Sequence, residues 1–132
     1  MTEAEWHEVA VQLAREIMGW HLQESNSPFP SWLDENFGHT GYSLRGPSLY
    51  ARGFPRWEPP FNITQAMLVK DCIVKQSWRG CRFSMDCVQH LQSRVIFQRD
   101  EQVYRGCHKA DAKAICLAAK ALADAIKEKA HA

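Results

Sequence analysis

Residues 81–107, with the sequence CRFSMDCVQHLQSRVIFQRDEQVYRGC, decide the fold class because their hydrophobic residues recur with a period of two. Phe83, Met85 and Cys87 alternate with polar residues, a pattern typical of a half-buried strand. The whole stretch predicts three strands, over residues 81–88, 94–98 and 102–107. The short polar connection between the last two strands favours an antiparallel meander.

Three helices are predicted, two before this meander in the sequence and one after it. They cover residues 2–20, 62–78 and 112–130. Thr2 and Glu5 stand at capping-box spacing at the start of the first helix, and Asn62 and Gln65 repeat that spacing at the start of the second. Asp111 is the predicted N-cap of the third helix, which is rich in the strongest helix formers. Its narrow alanine-rich stripe suits close packing on the sheet or on a copy of itself.

Residues 21–61 form a segment of different composition, which contains all six prolines and eight of the fourteen aromatic residues. Disordered linkers do not carry so many rings, so we expect an ordered excursion with a short helix at residues 31–36 and a strand near residues 48–52. The rings either build a recognition surface or pin a long loop to the core.

The chain has 132 residues and a net charge of +1, which is consistent with one ordinary domain over residues 1–132. The predicted fold class is α+β, a single layered domain in the order helix, long loop, helix, three-stranded antiparallel sheet, helix. Near-neutral charge argues against duplex DNA as a partner and against an acidic mimic of DNA. The five cysteines lack a C-x-x-C pair, and no apolar run or leader pattern predicts a membrane protein. We therefore expect free thiols and a cytoplasmic location.

Catalytic and metal-binding patterns are weak. Cys107 and His108 are neighbours in a predicted strand, so their side chains point to opposite faces and cannot form a nucleophile–base pair. Cys81, Cys87 and His90 lack the short spacing of structural zinc sites. The sequence thus predicts no catalytic residues, no metal and no cofactor, and the protein is not expected to be an enzyme.

Binding is better supported, because the excursion interleaves guanidinium groups with aromatic rings. Arg45, Arg52 and Arg56 are candidate phosphate contacts, and Tyr50 and Trp57 are candidate stacking platforms for a base. The alternatives are that Arg52 and Arg56 are surface solubilisers and that Trp57 is a staple under the following helix. The same residue types also anchor protein–protein interfaces.

A second candidate corner lies just before the last helix. His108 and Lys109 precede Asp111, where the helix start adds backbone amides and the positive end of a helix dipole. The ligand-binding candidates are therefore seven residues: Arg45, Tyr50, Arg52, Arg56, Trp57, His108 and Lys109.

Three segments together resemble the phage ABA sandwich domain family of small bacteriophage and prophage proteins. They are LAREIMGW at 13–20, WEPPFNITQA at 57–66 and AKAICLAAKAL at 112–122. The resemblance implies a helix/sheet/helix sandwich and an accessory role in which host antiviral defence is countered. The function expected from it is capture of a small nucleotide signal in the host cytoplasm, without catalysis. The alternative is direct inhibition of a host defence protein or CRISPR effector, and either form could be a homo-oligomer.

Overall fold

The computed structural model describes residues 1–23, 29–47 and 52–130, which form three α-helices and two three-stranded antiparallel sheets. The elements in chain order are α1 (Glu3–Glu16), β1 (His21–Leu22), β2 (Ser31–Leu33), β3 (His39–Ser43), α2 (Ile63–Cys72, continued by a π-helical turn over Ile73–Ser77), β4 (Arg82–Val88), β5 (Gln92–Arg99), β6 (Gln102–His108) and α3 (Asp111–Ala130). The α+β class predicted from the sequence is confirmed. None of the helices in these described ranges is long and apolar enough to cross a membrane.

Both predicted N-cap residues, Thr2 and Asn62, begin their helices. The Thr2 hydroxyl oxygen accepts a hydrogen bond from the backbone N–H of Glu5 at 3.2 Å, and the Asn62 Oδ1 atom accepts one from the N–H of Gln65 at 3.1 Å. The first helix is shorter than predicted, because regular α1 ends at Glu16 and Gly19 follows in the left-handed region with φ +72°.

The prediction that Asp111 caps α3 is wrong. The carbonyl of Ala110 accepts the first helical hydrogen bond, from the N–H of Ala114 at 3.0 Å, so Ala110 is the N-cap. Asp111 lies one residue further, inside the first turn. Its carboxylate accepts a hydrogen bond from the Ser93 hydroxyl on β5, which ties the helix start to the sheet.

The antiparallel meander β4–β5–β6 is confirmed, with a two-residue turn in which Asp100 adopts φ +57°. The predicted apolar face of β4 is only partly correct. Phe83 is half-buried against Phe97, but Met85 is 43% exposed and Cys87 is exposed. Helix α3 packs on β5 and β6, so the outer strand β4 extends past the helical layer.

The excursion contains a second sheet in the order β1–β2–β3, which the sequence did not predict. The predicted helix at residues 31–36 is wrong because Ser31–Leu33 pairs as β2 with strands on both sides. Asp34 then starts a turn: its carboxylate accepts hydrogen bonds from the N–H groups of Asn36 at 2.8 Å and Gly38 at 2.9 Å. The strand predicted near residues 48–52 falls outside the described residues, except for Arg52, which lies in a turn.

Helix α3 is the centre of the core and packs on β5, β6, α1 and α2. It is therefore buried around more of its circumference than the predicted narrow stripe. Its buried residues are Ala112, Ala114, Ile115, Cys116, Ala118, Ala119, Leu122 and Ala123. These buried residues are occupied within the monomer, while Ile126, at the end of the predicted stripe, is 39% exposed. Trp32 and Trp57 from the excursion join the same core cluster.

Candidate ligand-binding site

Ser43 ties together the two described arms of the arginine-bearing loop. Its side chain is fully buried, and its hydroxyl lies 3.0 Å from the N–H of Gly46 and 3.0 Å from the carbonyl of Phe54. Its backbone N–H donates to Pro55 and its carbonyl accepts from Trp57, each at 2.9 Å. The residues on both sides of positions 48–51 are thus held together by buried hydrogen bonds.

Gln65 fixes the end of this loop to α2. Its side chain is 4% exposed; its Oε1 atom accepts from the N–H of Glu58 at 2.6 Å and its Nε2 atom donates to the carbonyl of Arg56 at 3.0 Å. The sequence suggested that Gln65 would complete a capping box with Asn62. Instead the amide satisfies two backbone groups of the preceding loop and so sets the approach of the chain to α2.

The three arginine candidates lie in this loop. Arg45 and Arg52 are exposed, and Arg52 occupies a turn with φ +56°. Arg56 is half-buried, pairs with Ser43 in an isolated parallel bridge, and has a buried Nε atom without a hydrogen-bond partner in the described structure. The exposed part of the loop therefore includes Arg45 and Arg52.

The aromatic candidates of the loop do not provide a stacking platform in the described structure. Trp57 is 2% exposed, and its indole N–H donates to the carbonyl of Ala10 at 3.1 Å. The ring centroids of Trp20 and Tyr42 lie 4.6 Å and 5.1 Å from the ring centroid of Trp57. Trp57 is a core residue and not a free ring for a base, as the staple alternative predicted. Tyr50 lies outside the described residues.

The second corner is a depression where two helix starts meet. Its volume is about 500 Å³, and its lining comes from the residues at the beginning of α2 and of α3: Pro60, Phe61, Ile63, Ala110, Asp111, Ala112 and Lys113. The sequence placed anion-binding potential at the start of the last helix. The fold brings the two positive dipole ends to the same depression.

Aromatic and cationic side chains border this depression. The ring of Phe61 is 42% exposed, and the Lys113 ammonium lies 5.1 Å from its centroid and 5.3 Å from that of Trp6. Outside this lining, the candidate His108 packs edge-on against Trp6 with centroids 5.6 Å apart, and the candidate Lys109, the next residue in the chain, is exposed. We call this group of Phe61, His108, Lys109 and Lys113 the helix-start corner.

The electrostatic environment of the helix-start corner is positive. Burial lowers the pKa of His108 below its usual value, and the charges of Lys113, the chain N-terminus and Lys109 lower the pKa further. Asp111 is the acidic residue of the lining, and it is engaged by the Ser93 hydroxyl. The smaller, coulombic part of this shift comes from cations, and the same cations attract an anion.

Phe61 and Lys113 are the corner residues that the sequence analysis missed. A lysine in the first turn of a helix opposes the helix dipole, which normally favours acidic residues there. Lys113 therefore breaks a local rule, and such violations concentrate at functional sites. Phe61 carries a weaker signal, an aromatic residue directly before an N-cap.

The cysteine and histidine residues considered for catalysis or metal binding lie apart in the described structure. Cys107 is exposed on one face of β6, while His108 packs against Trp6 on the other, so the predicted separation of the pair is confirmed. Cys81 is buried and Cys87 is exposed at the far end of β4. Within residues 1–23, 29–47 and 52–130, no group of three or more histidine, cysteine or acidic residues is arranged to hold a metal ion.

Comparisons of the chain with models of protein families, with curated proteins and with solved structures found no match.

Proposed function

We propose that the protein binds a small anionic ligand with an aromatic ring, a nucleotide, at the helix-start corner and does not transform it. The observation that carries this proposal is the convergence of two helix starts on one depression beside a half-exposed phenyl ring and a lysine. Backbone amides and Lys113 would hold a phosphate group. Phe61 would stack on the base, as aromatic side chains do in nucleic-acid complexes.

The biological setting rests on the resemblance to the phage ABA sandwich domain family. We infer from it that the ligand is a nucleotide signal of host antiviral defence, and that the protein acts by sequestering this signal in the host cytoplasm. That the elements stack as a helix/sheet/helix sandwich is likewise inferred from this resemblance. Sequestration needs only tight binding, which agrees with a corner that offers anion and ring contacts.

Ligand-induced thermal stabilisation tests the binding proposal. The folded protein should gain about 2.7 kcal/mol of stability at a free ligand concentration one hundred times the Kd. Cyclic mononucleotides, cyclic dinucleotides and ADP-ribose-type nucleotides form the test panel. The nucleotide that raises the Tm should be recovered unchanged after incubation, and a hydrolysis product would contradict the non-enzymatic part of the proposal.

Two sets of variants separate the corner from the arginine loop. Lys113→Gln and Phe61→Ala should each reduce the ligand-induced shift in Tm. The double variant Arg52→Ala/Arg56→Ala removes two of the three arginines of the loop, and a shift lost only in this variant would place the ligand there instead. If no nucleotide in the panel raises the Tm of the wild-type chain, the nucleotide proposal is wrong.

The second candidate function is inhibition of a host defence protein through the excursion. Phe37 favours it, because this phenylalanine is 71% exposed at the turn between β2 and β3 and stacks on His21 with centroids 5.5 Å apart. Exposed aromatic residues are typical of interface anchors. The assay is phage plating on a host that carries the defence system and expresses the protein. If Phe37→Ser abolishes the rescue of plating while Lys113→Gln retains it, the interface hypothesis replaces the nucleotide hypothesis.

A further inference from the structure

Strand β4 presents an unpaired edge. In the described part of the chain, it is hydrogen-bonded to β5 on one side and to no strand on the other. Its pairing with β5 runs without interruption from Arg82 opposite Gln98 to Val88 opposite Gln92. Five of its seven residues are exposed. The free edge is therefore a regular, seven-residue template for another strand.

The edge lacks several of the features that usually prevent pairing. Strand β4 contains no proline or lysine, and its register with β5 shows no bulge. Exposed apolar groups lie at the strand and just after it: Met85 is 43% exposed and Leu91 is 84% exposed. A partner strand would cover Met85 and satisfy the free backbone groups of the edge.

The sequence of β4 is complementary to itself about Ser84. When two copies of an antiparallel strand pair around a two-fold axis at residue 84, each residue lies opposite the one at the mirrored position. Arg82 then faces Asp86 of the second copy, and the reciprocal pair forms by symmetry. Phe83 faces Met85 in the same way. Directly opposed residues of antiparallel strands have Cβ atoms about 4.5–5.5 Å apart, within reach of an ion pair.

We propose that the protein forms a two-fold symmetric homodimer through antiparallel β4–β4 pairing centred on Ser84, which joins the two meanders into one six-stranded sheet. Arg82 has no ion-pair partner among the described residues, so its guanidinium is available for the second copy. Asp86 already binds Arg94 through both carboxylate oxygens, at 3.0 Å and 2.5 Å. In the dimer each Asp86 carboxylate lies between Arg94 of its own chain and Arg82 of the other.

Other pairings are less favourable. A two-fold axis at Met85 places Arg82 opposite Val88 and Asp86 opposite Ser84, so both ion pairs are lost. On the other edge strand, β6, an axis at Arg105 would place that arginine opposite its own copy. Like charges directly opposite each other destabilise a strand pair. Charge complementarity therefore selects β4 and the Ser84-centred register.

Sedimentation velocity with charge-reversal variants tests this dimer. The wild-type chain should show a concentration-dependent monomer–dimer equilibrium. Arg82→Glu and Asp86→Lys each convert both attractive pairs into repulsive ones, and each should raise the dimer dissociation constant about tenfold or more, equivalent to about 1.4 kcal/mol. Mixing the two variants should restore the dimer, because the introduced glutamate of one chain then faces the introduced lysine of the other. The second pair of the mixed dimer keeps its native residues, Asp86 of the first chain facing Arg82 of the second.

Arg105→Glu is the matched control, since it reverses an exposed charge on the same sheet at the opposite edge. It should leave the dissociation constant unchanged. Far-ultraviolet circular dichroism checks that each variant folds, and Arg82→Ser, which removes the attraction without adding repulsion, replaces any variant that does not. A wild-type chain that stays monomeric at every concentration overturns the proposal. So does a dimer that is insensitive to both reversals, or a mixture that fails to dimerise.

Discussion

Replacing Gly106 with alanine should destabilise this protein strongly, although it adds only one methyl group. A Cβ atom at position 106 would lie 2.3 Å from the carbonyl oxygen of Ala114, 2.5 Å from the backbone nitrogen of Ala118 and 2.8 Å from Leu117 Cβ. Ordinary van der Waals contact begins at 3.4 Å, so β6 and α3 would have to separate by about 1.1 Å. Two of the three obstructing atoms belong to helix backbone and cannot rotate away.

Separating β6 from α3 would lower the stability of the protein because it disturbs the packing of the core. Ile115 and Leu122, on the same helix, are 0% and 2% exposed, so moving α3 opens gaps around them. Overpacking of this kind costs about 1–3 kcal/mol, and contact with backbone favours the upper end of that range. For a chain of this length, 1 kcal/mol corresponds to about 3–4 °C in Tm, so we expect a decrease of about 10 °C.

Thermal and urea unfolding of Gly106→Ala measure this effect. The urea midpoint should decrease while the m-value stays constant, since the area exposed on unfolding is unchanged. Cys107→Ala is the control, because this exposed neighbour faces away from α3 and its truncation should change the Tm little. If the Tm of Gly106→Ala lies within about 1 °C of the wild-type Tm, β6 and α3 are not in close contact at Gly106.

Three further predictions concern burial and charge. Gln65→Ala should destabilise the fold by about 1–3 kcal/mol for each of the two backbone groups that it leaves unpaired. Urea unfolding measures this loss. Gln65→Glu, which keeps the acceptor oxygen and loses the donor, is the comparison variant. Because the folded state lowers the pKa of His108 below 6.5, the unfolded state binds more protons at mildly acidic pH. Stability should therefore fall as the pH decreases through 6.5, and His108→Gln should flatten that part of the pH profile; an identical profile would contradict the assignment. Thiol titration of the native protein should modify the exposed Cys87 and Cys107 rapidly, while Cys116, whose pKa is raised by burial, reacts only after unfolding.

The elements that the sequence predicted well are those specified by local patterns. The meander follows from a period of two and a short polar turn, and α2 follows from an Asn62–Gln65 cap next to two prolines. The wrong prediction at residues 31–36 has a physical cause. Three residues of β2 are too few to show a period, and their strand conformation is set by pairing with distant neighbours on both sides.

The candidate site is predictable only in part, for a related reason. His108 and Lys109 can be identified because they precede a helix start, which is a local feature. Phe61 and Lys113 are missed because their proximity, a cation 5.1 Å from a ring centroid, joins residues separated by a large part of the chain. Composition alone suggests a binding role for Trp57, and only packing shows that its ring belongs to the core.

The sequence by itself determined the class of fold, the approximate positions of the three helices and the antiparallel meander, because hydrophobic period, caps and turns act over a few residues. Tertiary structure decided which helix starts share a depression, that the ring of Trp57 is buried, and which strands lie at the edges of the sheet. Those properties depend on contacts between segments far apart in the chain. Their free energy comes from packing and from satisfying buried polar groups, and no short stretch of sequence contains both partners.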